Sequence, residues 1–140
     1  MNMAVQITEE YSCSLPDRFN DHPVMTTTLC TIAYDLLKKE ESEAIARGEK
    51  FYIWFRGWGG SDGVIYGSAP VVFRRLEALL TTVREDKAGF IEKASVFRGA
   101  NDASRFKTPE TSYCDAVAYL EAVLKIIKKY RNNPRKIIAL

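Results

Sequence analysis

The sequence predicts an α+β fold: three main helices packed on a small, mostly antiparallel sheet with a central aromatic and glycine-rich hairpin. Three observations carry this reading. Apolar residues recur at helical spacing in three long segments, around Leu29, Leu76 and Leu120. Short runs near Val5 and Ile53 have the alternation or the aromatic and β-branched content of strands. Polar stretches containing Pro16, Gly63 and Pro134 separate these segments.

Along the chain, Val5 and Ile7 alternate with Gln6 and Thr8, which predicts a short strand over 3–8. Residues 9–21 are polar, contain Pro16 and read as a loop. Asp21 is placed to cap a helix with Pro23 in its first turn. Met25, Leu29, Ile32, Ala33, Leu36 and Leu37 form that helix's apolar side, and Gly48 is its stop. Phe51 to Phe55 is a strand by composition, 57–63 a loop, and Val64 to Tyr66 the returning strand. Ser68 caps a second helix with Pro70 in its first turn, and a break is expected near Gly89 before a further helical piece. Thr108, Pro109 and Glu110 combine a capping hydroxyl, a proline suited to the first position and an acid near the positive helix end. The third helix then carries the cleanest apolar stripe, from Tyr113 to Ile127. Residues 136–140 read as an edge strand or a docking tail, apolar enough to pair with a second copy as a homodimer.

The 140 residues form one domain on this reading, with a basic segment at 123–140. Hydrophobic residues at 46% and charged residues at 27% suit a globular chain, and no run approaches a membrane span. The first residues have no signal-peptide pattern, and the widely spaced Cys13, Cys30 and Cys114 match neither a disulfide framework nor a zinc motif. A cytoplasmic protein is therefore expected. Cys30 and Cys114 are expected to be buried and Cys13 exposed. Charge is uneven: residues 123–140 hold six basic side chains and no acidic one, which leaves −4 on residues 1–122 in a chain of net charge +2.

The segment Phe51 to Gly67 concentrates six of the sixteen aromatic residues and five of the eight glycines. Its loop fails both common phosphate-binding patterns. No Gly-Lys-Ser/Thr follows, and Asp62 stands where a dinucleotide fingerprint has its third glycine. Strand alternation puts Phe51, Ile53 and Phe55 on one face and Tyr52, Trp54 and Arg56 on the other. Tyr52, Trp54, Arg56, Trp58 and Asp62 are the candidate binding residues, provided no helix covers their face. Lys125, Lys128, Lys129 and Arg131 are candidate contacts for phosphate or an acidic partner.

Catalytic support is thin. His22 is the only histidine; Cys13 is its weakest defensible nucleophilic partner, and Asp17, Asp21 and His22 form a conceivable metal set. No catalytic, metal or cofactor motif is present in the sequence. The leading expectation is a small protein-binding module acting by stoichiometric association, of the inhibitor, immunity or phage anti-defence type, on the profile of one compact domain without a catalytic constellation. The alternatives are a nucleic-acid or nucleotide binder using the basic helix and the aromatic hairpin, and an enzyme of unassigned class.

Overall fold

The computed structural model describes residues 4–7, 11–48, 51–54, 64–100 and 106–140. Within them the chain is α+β, with four α-helices and five strands: β1 Ala4–Ile7, β2 Tyr11–Ser14, α1 Pro23–Ala46, β3 Phe51–Trp54, β4 Val64–Ser68, α2 Ala69–Glu85, α3 Lys87–Ala100, α4 Pro109–Ile127 and β5 Ile137–Ala139. Short 3₁₀ turns cover Asp17–Phe19 and Lys128–Tyr130. No helix among the described residues is long and apolar enough to cross a membrane.

Helix ends follow local chemistry. Asp21, expected to cap α1, instead takes a positive φ of 49°. An aspartate tolerates the left-handed region, so the capping role moves one residue on. The His22 carbonyl accepts the first helical bond from Thr26 N–H at 3.1 Å, and its ring Nδ1 accepts from Met25 N–H at 3.4 Å. Gly48 lies just past the end of α1 with φ 70°, as its stop role requires. The break between α2 and α3 falls at Asp86, just before Gly89, and the further helical piece expected after it is a fourth helix, α3. Asp86 ends α2 and its Oδ1 accepts the Gly89 N–H at 2.9 Å, acting as the N-cap of α3. Thr108 caps α4 as expected, accepting from Thr111 N–H at 3.2 Å, with Pro109 at the first position.

The sheet has the order β2-β1-β5-β4-β3, and every pair is antiparallel. Two expectations change. The polar stretch after Glu9 contains a strand, β2, whose Tyr11, Ser12, Cys13 and Ser14 pair residue for residue with β1. The tail is not an edge: β5 is the central strand, hydrogen-bonded to β1 on one side and β4 on the other. Both edges of the tail are used within the chain, which removes the edge on which a second copy was expected to pair. The aromatic strand β3 ends the sheet rather than lying at its centre. The connection between β3 and β4, residues 55–63, lies outside the described residues.

Register divides the sheet into two faces. The row Ile7, Ile138 and Gly67 is buried. A Cβ at Gly67 would stand 3.3 Å from the Val72 side chain, so this row faces α2. The helices pack on one another behind it: α2 against α4, and α3 against both α1 and α4. Val24, Met25, Leu76, Val83, Phe90, Leu120 and Val123 join Val5 and Ile138 in one continuous core.

Candidate functional site

Arg56, Trp58 and Asp62 lie outside the described residues. Tyr52 and Trp54 belong to β3, and the register gives their rows. Ser12, Gln6, Ala139, Tyr66 and Tyr52 are successive partners across all five strands. This row alternates with the helix-facing one, so by the pleat it belongs to the opposite face. Gln6 in it is exposed and Ala139 half-buried; in the flanking rows Ser14 is exposed and Ile137 half-buried. Trp54 pairs with Val64 and Ile137 with Ser68 on the same side. No register position of this outer face, from Ala4 to Ala139, holds a charged residue.

The basic candidates are on the other end of the molecule's sheet. Lys125 lies in the last turn of α4, Lys128 and Lys129 in the 3₁₀ turn, and Arg131 just beyond; all four are exposed. The Lys129 ammonium sits 4.9 Å from the Tyr130 ring centroid. The chain then enters β5 at Ile137, which pairs with Ser68, whereas residues 55–63 join β3 to β4 at Trp54 and Val64. Basic segment and glycine-rich loop therefore attach at opposite ends of β4, roughly 13 Å apart at the strand rise per residue.

A third constellation was not foreseen. Asp115, on the buried side of α4, is 4% exposed and His22 is 2% exposed. The His22 Nε2–H donates to Asp115 Oδ2 at 2.9 Å. Lys107 Nζ donates to the same oxygen at 3.2 Å and to the Arg18 carbonyl at 2.9 Å. Arg18 donates to Asp115 Oδ1 from Nε at 3.1 Å and from its terminal nitrogen. The Arg18 guanidinium also lies over the Phe19 ring, which meets Tyr119 edge-on at 5.6 Å.

Charge and hydrogen bonding set the protonation of this cluster. Burial pushes the Asp115 carboxyl up, but hydrogen bonds from Arg18, His22 and Lys107 outweigh it and hold the group below the ordinary carboxylate range. Burial lowers His22 below its ordinary value, with the Lys107 charge adding to the effect, against the opposing hydrogen bond to Asp115. The imidazole is thus neutral, donating from Nε2 and accepting at Nδ1. Both nitrogens are engaged, and neither is left to take a proton from a substrate. The cluster reads as a clamp holding the start of α1 and the segment before α4 onto α4.

The same geometry answers the catalytic candidates. His22 is hydrogen-bonded to Asp115 and Met25, and the Cys13 side chain lies outside what the structure describes. Cys30 is half-buried, and burial pushes its thiol up to about 11, away from the reactive thiolate. Cys114, expected in the core, is exposed, because the buried face of α4 runs through Asp115 and Ala116 instead. Among the described residues no group of three or more His, Cys, Asp or Glu side chains is disposed to hold a metal.

Comparison of the chain with protein-family models, with curated proteins and with solved structures found no match.

Proposed function

We propose that this protein is a stoichiometric protein-binding module whose docking surface is the outer face of the sheet at β3 and β4. One observation carries the reading: the outer register positions contain no charge and include Tyr52, Trp54 and Tyr66. A solvent-facing sheet surface ordinarily alternates toward polar and charged residues. Depletion of charge together with enrichment in tyrosine and tryptophan is instead the composition of a protein interface core. Arg56, Trp58 and Asp62 follow Trp54 directly in the sequence and lie outside the described residues, and the test below probes them through Trp58. The commitment of His22 to a structural clamp supports association over catalysis.

The test compares the wild-type chain with a Tyr52→Ala/Trp54→Ala double variant and with Trp58→Ala in a reciprocal pull-down, followed by titration of the purified partner. Truncating a hot-spot aromatic costs about 2 kcal/mol or more, roughly a 30-fold rise in Kd. That loss is expected with the thermal midpoint essentially preserved. A partner that binds the variants as tightly as the wild type, or variants that fail to fold, would give the aromatics a structural role and defeat the reading.

A further inference from the structure

A second surface has the opposite chemistry. Lys125, Lys128, Lys129, Arg131 and Arg135 are all exposed and follow one another from the last turn of α4 to the approach to β5. Lys125 has Lys128 and Lys129 three and four positions on, neighbours about 5–6 Å apart on a helical surface. Some exposed cations elsewhere meet carboxylates: Arg84 pairs with Glu121, Arg47 with Glu43, and Arg18 and Lys107 with Asp115, whereas Lys93 on α3 stands by itself in the sequence rather than in a run of like charges. Among the described residues, Lys125, Lys128 and Arg135 form no ion pair. The nearest acid in sequence to Lys125, Glu121 one turn below, is the one engaged by Arg84. The helix dipole favours cations in the last turn of α4 but falls off beyond it, so it does not account for Arg131 and Arg135.

We propose that this ridge docks on the sugar–phosphate backbone of nucleic acid, without reading base sequence. A protein partner would ask for something different. Interface cores are depleted in lysine and built on buried apolar anchors, and the exposed residues of 125–135 are Lys, Arg, Asn132 and Pro134 with no large hydrophobe among them. A single-sign, lysine-rich strip suits phosphates, which such cations contact without base recognition. This surface is separate from the outer sheet face, so the ridge proposal stands or falls independently of a protein partner there.

The probe is a fluorescently labelled DNA duplex of arbitrary sequence, followed by anisotropy between about 50 and about 200 mM NaCl. Four or five phosphate contacts predict that affinity falls roughly 100- to 500-fold over that range, from a slope of about −0.9 per contact. The Lys125→Glu/Lys128→Glu/Lys129→Glu variant is expected to lose binding. Lys93→Glu, an exposed position on α3, is expected to leave it unchanged. If the triple variant does not fold, Lys125→Gln/Lys128→Gln replaces it and should lower the salt slope by about 2. Absence of binding at the lower salt, a flat salt dependence, or equal loss in Lys93→Glu overturns the proposal; the first of these would leave the ridge to an acidic protein surface.

Discussion

At the scale of single residues, His22 carries the clearest pH signature in the molecule, because it is the only histidine and both its ring nitrogens are occupied. Its folded-state pKa lies below the ordinary value of about 6.5. Between those two values the unfolded chain binds more protons than the folded one, so stability rises with pH across that window and falls on acidification through it. Asp115 has the same sign at lower pH, since its folded value is also depressed and its contribution is lost only as the carboxylate is protonated. The unfolding free energy from urea denaturation, measured from pH 8 to pH 5, should therefore decline from about pH 6.5 downward, with a slope no steeper than about 1.4 kcal/mol per pH unit for one proton. His22→Asn keeps a good N-cap and does not titrate, so it should flatten that decline. An unchanged slope in the variant would mean that the proton is taken up elsewhere.

At the scale of elements, the Asp115 clamp ties Arg18 and His22, around the start of α1, to Lys107 and Asp115, around the start of α4. Asp115→Ala leaves the buried His22 Nε2–H without an acceptor, which costs about 1–3 kcal/mol. Arg18 and Lys107, each about half exposed, can turn to water and add little to that loss. Asp115→Asn retains an oxygen facing His22 and should recover part of the stability. Chemical denaturation of both variants checks this, and an alanine variant as stable as the parent would exclude the clamp. The clamp also marks where sequence reasoning stopped. The start of α4 was legible because Thr108, Pro109 and Glu110 act on their own backbone. Asp115 was not, because its partner His22 is 93 residues away and only the fold joins them. The available signal was an acid directly before Ala116, within a stripe otherwise apolar. The break expected near Gly89 falls at Asp86 because a side-chain cap at that position favours a new start there, and β2 was hidden by its polar setting although Tyr11 and Cys13 alternate with Ser12 and Ser14.

At the scale of the whole molecule, the sheet joins strands that are far apart in the chain: β1 and β2, then β3 and β4, and finally β5. The central strand consists of three residues near the C-terminus, and it joins the β1–β2 pair to the β4–β3 pair. Sequence patterning left the tail as an edge strand or a docking segment, since an apolar tripeptide carries no record of having partners on both sides. Its position matters more than its length. Ile138 is fully buried, and Ile138→Ala is expected to cost about 2–5 kcal/mol, a core truncation rather than a surface change. Truncation after Lys136 should go further. It leaves two separate two-stranded ribbons, each marginal alone, and uncovers the row of Ile7 and Gly67 beneath α2. The expected outcome is loss of the cooperative thermal transition and of near-ultraviolet circular dichroism, with helical far-ultraviolet signal partly retained. If the tail were a docking segment, the truncated chain would instead melt cooperatively near the parent temperature and differ only in what it binds. One pair of melting curves separates the two.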